Sequence, residues 1–280
     1  MTTTGSKLPV APAEVLALAR ELRASAQADK PLAVAGVREL AAALRRELAR
    51  GGVASAVRDE GAVEEAAALV HVLAGRADDE DVALLKRANR AGVPIVCVLA
   101  GARGEELPDP PYVLAENVVH VPPGSGFPLE RIAAAIARAL GEQATPLAAR
   151  LPVLRDAVVD RLIAQFSRQN AIVGAAVFLP GADLPVLTLN QIRLLMRIAD
   201  AYGFELDRRR VPEVLGVIGG GFGLRAVARS LLGVVPVAGW AVKAGIAYGG
   251  TRAFGEAARR YFETRAPVTR VAGDRAVFPR

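Results

Sequence analysis

The sequence predicts an α/β unit built on a doubly wound parallel sheet, followed by an all-α unit of helical hairpins. Three observations carry this expectation. In the first half, short apolar runs such as Leu32 to Ala35, Leu69 to Leu73 and Val93 to Leu99 alternate with stretches of helical length, and such alternation builds parallel strands covered by helices. Gly141 to Pro152, GEQATPLAARLP, has the composition of a linker. Beyond it, apolar residues recur at helical spacing.

Composition bounds the answer further. A chain of 280 residues holds two domains of ordinary size, and 52% hydrophobic against 23% charged residues excludes a disordered chain. The one cysteine, Cys97, lies in the apolar run PIVCVLA, so no internal disulfide is expected and a reducing compartment is. The opening MTTTGSKLPVAPAE has no apolar signal-peptide core. The expectation is the cytoplasm, with peripheral association with the inner membrane. Residues 1–150 carry 17 basic and 19 acidic side chains, whereas residues 151–280 carry 18 and 10. The basic second half points to an anionic partner, either lipid headgroups or an acidic protein.

In chain order, Pro12 to Ala26 is expected to open with a helix carrying Val15, Leu18, Ala19 and Leu22 on one face. Leu32 to Ala35 reads as a strand, followed by a helix to Arg50 and a break at Gly51-Gly52. Val53 to Val57 reads as a second strand, Ala62 to Ala68 as a helix and Leu69 to Leu73 as a strand. Asp78 to Ala91 is helical, with Asp78, Asp79, Glu80 and Asp81 complementing the helix dipole. Val93 to Leu99 and Asn117 to Val121 are strands, and Leu129 to Leu140 is a helix. His71 and His120 lie in strand patterns with no second ligand at metal spacing, so packed histidines are expected and no metal or cofactor site is assigned.

This order resembles the Era-like GTPase domain, and the positions that would carry phosphate and guanine test the resemblance. Where that family has G-x-x-x-x-G-K-[ST], this chain reads GVRELAAA. Gly36 stands at the first glycine, but Ala41, Ala42 and Ala43 replace the glycine, lysine and hydroxyl that cradle phosphate and magnesium. After VPIVCVL, the guanine-reading Asn-Lys-x-Asp would fall on Ala100, Gly101, Ala102 and Arg103, placing a cation where an aspartate belongs. The resemblance therefore implies a degenerate, P-loop-like domain over residues 1–145, with a vestigial nucleotide site and no enzymatic activity. Alternatively, Gly36 serves a tight strand-to-helix turn in another doubly wound fold.

In the second half, Leu154, Val158, Leu162 and Phe166 recur at helical spacing. Ala171 to Leu179 is apolar and stops at Pro180-Gly181. Thr188 and Gln191 form a capping-box signature, flanked by Leu187 and Ile192 as a hydrophobic staple, before a helix to about Tyr202 that Gly203 ends. RQNAIVGAAVFLPGADLPVLTLNQIRLLMRIADAYG and LLGVVPVAGWAVKAGIAYGGTRAFGEAARRYF together resemble the uncharacterised YcjF-type domain that often accompanies Era-like GTPase domains. The resemblance covers residues 151–266 and leaves 267–280 as a tail. It implies membrane association for many members and names no molecular activity.

Val211 to Tyr261 is rich in apolar residues and glycine, yet its longest uncharged run, Ser230 to Val242, is shorter than the ~20 residues a spanning helix needs. Pro236, flanked by Gly233 and Gly239, is expected to break one helix and start another. Gly216, Gly219, Gly220, Gly221 and Gly223 are explained if a neighbouring helix approaches closely. An apolar helix that ends at Pro180 or Pro236, a short turn, and a helix rising to Tyr202-Gly203 or Tyr248-Gly249 follow in the same order twice, as in a duplicated hairpin. Trp240 near the break, with Arg225, Arg229, Lys243 and Arg252, supplies an interfacial indole and cations for an anionic surface. The function expected is a catalytically inactive GTPase-like protein that contacts a membrane surface or a protein partner through these hairpins. The alternative is a nucleotide-binding protein or GTPase with a non-standard phosphate loop. No nucleic-acid motif is present, and homo-oligomerisation is an open expectation.

Overall fold

The computed structural model describes residues 30–101, 110–176, 184–204, 214, 216 and 240–266. The expected opening helix, Arg103, Arg225, Arg229 and Pro236 lie outside them. In order come β1 (Leu32–Gly36), α1 (Arg38–Ala49), β2 (Val57–Arg58), β3 (Ala68–Leu73), α2 (Asp79–Arg90), β4 (Ile95–Ala100), β5 (Val118–Val121) and α3 (Leu129–Leu140). The five strands pair in parallel in the order β2-β1-β3-β4-β5. The chain reverses direction across the sheet at β1, the mark of a doubly wound sheet.

Each central strand reads as a near-continuous apolar run, broken only by His71 in β3, because both faces are covered. Val34, Val70, Val72, Val96 and Val98 face α1 and α3 through Leu44, Leu48, Ile132 and Ile136. Ala35, Leu69, Leu73, Cys97 and Leu99 face α2 through Leu84, Leu85 and Ala88. Helices on opposite faces follow from right-handed crossovers that step first one way from β1 and then the other. The four acids behave as the pattern predicts: Asp78 caps α2, and Asp78 and Asp81 bond each other's backbone N–H in a capping box.

Two expectations in this half are corrected. Only Val57–Arg58 pairs with β1, and the residues before it form a tight turn at Ala54–Ala56. Ala62 to Ala68 is no α-helix: Glu60–Glu65 is a 3-10 turn begun by the Asp59 carboxylate, and strand β3 already starts at Ala68.

Arginines of α3 reach the β5 margin of the sheet. Val121 accepts from Gly101, so in the alternating pattern of β5 the His120 carbonyl faces outward. Arg131 of α3 donates to that carbonyl, and Arg138 donates to the carbonyl of Glu116 just before the strand. The opposite margin, β2, is two residues long.

The composition of Gly141 to Pro152 misleads. Instead of an exposed linker it forms a turn at Gly141–Gln143 and helix α4 (Ala144–Arg150), with Ala144, Thr145, Leu147, Ala148 and Leu151 buried. Small residues here serve close packing. Val53 donates to the Arg150 carbonyl at 2.9 Å, and one hydrophobic core runs without interruption from Leu32 through Leu147 and Leu151 to Phe262.

Helices α5 (Arg155–Ala176), α6 (Leu184–Ala201) and α7 (Trp240–Glu263) follow. Leu154, Val158, Leu162 and Phe166 are all buried, as their spacing predicts. The apolar stretch from Ala171 continues α5 as far as Ala176. Helix α6 begins four residues before Thr188, so Thr188 and Gln191 lie within it and cap nothing. Pro185 is tolerated in the first turn, where its missing N–H has no helical acceptor. Gly203, at φ +79°, ends α6 in a Schellman motif: Phe204 donates to Ala199 and Gly203 to Asp200. Helix α7, by contrast, passes through Gly249-Gly250 to Glu263, so the second tyrosine-glycine pair ends no helix. The close helix approach falls at Gly255, where a Cβ would lie 2.7 Å from Ile163 Cγ1. Among the described residues nothing lies within 4 Å of a Cβ on Gly216.

Candidate functional site

In a doubly wound sheet the carboxyl ends of the strands beside the reversal are where ligands bind, and here that place is the β1 end. The turn is minimal. Gly36 has φ +102°, and a Cβ on it would lie 2.0 Å from the Val72 carbonyl oxygen. Val37 donates to that same oxygen at 3.0 Å, and α1 begins at Arg38. One residue therefore separates strand from helix, whereas a phosphate cradle needs a length of backbone whose N–H groups converge.

Ala41 to Ala43 are already inside α1. The Ala41 N–H is bonded to the Val37 carbonyl at 2.8 Å, and the Ala41 side chain is buried in the core against which the sheet packs. A longer side chain there would enter that core. The structure thus brings Gly36 and the three alanines together on one strand-helix pair, in the role of a tight turn. Gly101, beside the position of Arg103, ends β4 at φ +77° and donates to Val121.

A polar group does lie under the neighbouring strand. His71, fully buried, bonds Asp81 Oδ1 through Nε2 at 2.7 Å, while its Nδ1 has no partner. Cys97 is its register neighbour on β4. The three side-chain types are those of a cysteine-histidine-acid nucleophile, but burial, with Asp81's charge adding to it, pushes the Cys97 thiol up to about 12. A thiol so held is protonated at neutral pH and is no nucleophile. The histidine fastens the start of α2 to β3.

The second place is the end of the three helices remote from the sheet. Asp160 meets Arg259, and Gly255 faces Ile163. Asn170 donates to Thr251 Oγ1 at 2.8 Å, so α7 runs antiparallel to α5. Asn190 donates to Asn170 Oδ1 at 2.7 Å and Arg155 stacks on Tyr202, so α6 does too. Asn170, Asn190 and Thr251 form a buried polar layer across all three helices. Thr251 completes it by donating to the Ala247 carbonyl.

Beyond that layer Ile172, Val186 and Ile246 are 68%, 45% and 48% exposed. Arg252, one residue past Thr251, is exposed beside it. Trp240 and Lys243 occupy the first turn of α7 at this same end; their side chains are outside the described residues.

Sequence reasoning missed the layer and the aliphatic trio. One sign was legible: Asn170 is the next position on the stripe of Leu154, Val158, Leu162 and Phe166, and a polar residue on a buried stripe requires a partner. Among the described residues no helix is long and apolar enough to cross a membrane, and no group of three acidic, histidine or cysteine side chains forms a metal site. Comparison with known protein families and with curated proteins finds no match for this chain.

Proposed function

We propose that this chain is a catalytically silent, GTPase-like protein that works as a membrane-peripheral or partner-binding module, with its helical half making the contact. The observation that carries the silent half of this reading is the single residue, Val37, between β1 and α1. With no loop there, neither converging amides nor a lysine is available to hold a triphosphate, and positioning of phosphate is most of what catalyses its transfer. The resemblance of the second half to the YcjF-type domain, and the exposed aliphatic end of the three helices, support a contact role for that half.

Titration of the purified chain with a fluorescent GTP analogue in magnesium tests the reading. The expected result is no saturable binding and no hydrolysis. Saturable binding that GDP competes away overturns it in favour of a nucleotide-binding protein with a non-standard phosphate loop.

A further inference from the structure

We propose that Asn170, Asn190 and Thr251 are a register lock, a conformational device that holds α7 at one height against α5 and α6; it does not depend on the function proposed above. The need for a lock is written in α7. Ala244, Ala247, Thr251, Gly255 and Ala258 follow one another at intervals of three or four residues and so form one stripe along the helix. Thr251 and Gly255 of this stripe meet α5, at Asn170 and Ile163, and Ala258 is fully buried. Every member is small. One step along the stripe in either direction, about 5 Å, therefore sets small residues in the places of small residues. Thr251 or Ala258 takes the place of Gly255, and Ala247 or Gly255 takes the place of Thr251. A methyl group in the place of Gly255 meets only the side chain of Ile163, which can turn. Apolar packing thus separates neighbouring heights weakly.

Hydrogen bonding separates them strongly. Thr251 is the one member of the stripe with a side-chain hydroxyl. Its Oγ1 accepts from Asn170 Nδ2 at 2.8 Å and donates to the Ala247 carbonyl at 2.8 Å, while Asn170 Oδ1 accepts from Asn190 of α6 at 2.7 Å. Three helices are joined in one donor-to-acceptor series, and all three side chains are buried. After a step in either direction Asn170 would face Ala247 or Gly255, neither of which has a side-chain acceptor. Its amide would be buried without the partner it has here, which is the costly outcome for a polar group. The Asp160–Arg259 pair also marks the register, but Asp160 is largely exposed, and exposed pairs discriminate little. A single buried polar position fixes the register of otherwise apolar helix pairs in the same way.

The distance between spin labels on Asp156→Cys of α5 and Ala253→Cys of α7, both exposed positions, reads the height of one helix against the other. Cys97→Ala in every sample leaves these as the only two thiols. With the layer intact, one narrow distance is expected by double electron–electron resonance. With the layer made apolar (N170L, N190L, T251V), a folded chain with a second population displaced by about 3–5 Å is expected. Thr251→Ser keeps the hydroxyl and is expected to keep the single distance; Thr251→Val keeps the shape without the hydroxyl and is expected to broaden it.

Thermal melts establish which variants are folded, and the serine and valine variants decide the matter if the triple variant is not. A folded Thr251→Val chain with the single narrow distance overturns the lock, even at a lowered melting temperature, and leaves the layer a stabilising contact only. Unfolding of both Thr251→Val and the triple variant overturns it likewise, because a lock that is removed gives up uniqueness before stability. Binding of GTP, or its absence, moves none of these distances and bears only on the catalytically silent reading.

Discussion

Gly52 lies against Arg150: a Cβ on this glycine would be 2.5 Å from the Arg150 carbonyl oxygen and 2.9 Å from Pro152 Cδ. The turn after α1 and the joint between α4 and α5 are thus packed backbone to backbone, with the Val53 to Arg150 hydrogen bond alongside. Both obstructing groups belong to the main chain or a proline ring and cannot swing away. Gly52→Ala is expected to destabilise the chain by about 1–3 kcal/mol, measured as a lowered urea midpoint with unchanged slope. Among the described residues nothing lies within 4 Å of a Cβ on Gly51, and Gly51→Ala, strained at φ +69°, is expected to lose about 1 kcal/mol.

The same joint governs proteolysis. Because Ala144, Leu147, Ala148 and Leu151 are buried, the peptide bonds between them are inaccessible to a protease without local unfolding. Limited digestion, with fragments mapped by mass spectrometry, is expected to give its first cuts outside Ala144 to Leu154.

Arg197 is buried on α6, and its guanidinium meets Glu142 Oε2 at 3.0 Å. Glu142 also accepts from Gln165 of α5. Removing the carboxylate leaves a buried cation, but Glu142 is half exposed, so water moderates the loss. Glu142→Gln is expected to cost about 1–3 kcal/mol, below the 3–5 typical of a fully buried pair. Arg197→Met removes charge and hydrogen bond together and is expected to cost less than Glu142→Gln. Equilibrium urea denaturation of both variants decides it.

Gly255 lets α7 approach α5 over Ile163, whose Cγ1, Cδ1 and Cγ2 would lie 2.7, 3.2 and 3.3 Å from an added Cβ. Gly255→Ala gains helix propensity of about 1 kcal/mol but meets three side-chain carbons. The clash is expected to win by about 1 kcal/mol, and Ile163→Val, by removing Cδ1, is expected to restore part of it. A double-mutant cycle with a coupling near zero would refute this account.

The Cys97 thiol gives a pH dependence with a definite sign. Its pKa is 9.0 as a free side chain and about 12 in the fold. Below pH 9 both states hold the proton and the contribution is complete. As pH rises from 9 to about 12, the unfolded thiol loses its proton while the folded one retains it, so stability falls by up to about 1.4 kcal/mol per pH unit. Burial likewise pushes the Tyr202 hydroxyl up to about 12, adding loss in the upper part of this window. Cys97→Ala is therefore expected to flatten the alkaline fall in stability without abolishing it. In the native parent at pH 8, the thiol is expected to react with a disulfide reagent only at the rate of unfolding.

How much was legible follows from which forces act locally. Strands β1, β3, β4 and β5 and helices α1 to α3 were readable because burial on two faces or one writes its period into the sequence, as in Val93 to Leu99 and Leu129 to Leu140, whereas the two-residue β2 has no period to show. The α4 joint was hidden because alanine, glycine and proline have the same composition whether they form a linker or permit backbone contact, as Gly52 and Arg150 do. Thr188 carried a true capping signature, overridden because apolar Leu184 and Leu187 extend the helix upstream. That Ala41 to Ala43 carry no phosphate-binding side chain was legible, but the one-residue turn at Val37 was not, since GVRELAAA has the length of a phosphate cradle. Residues brought together from α5, α6 and α7, such as Ile172 and Ile246, share no local pattern and needed the helix pairing.

The arginines along β5 have a consequence for crowding. A sheet extends by lending its marginal carbonyls to another strand. Here His120 and Glu116 have already lent theirs to Arg131 and Arg138, and β2 is too short to offer a row. A strand arriving from a second copy would have to displace Arg131 before it could pair with the His120 carbonyl. That barrier is a property of α3, a helix that takes no part in any contact proposed for this chain.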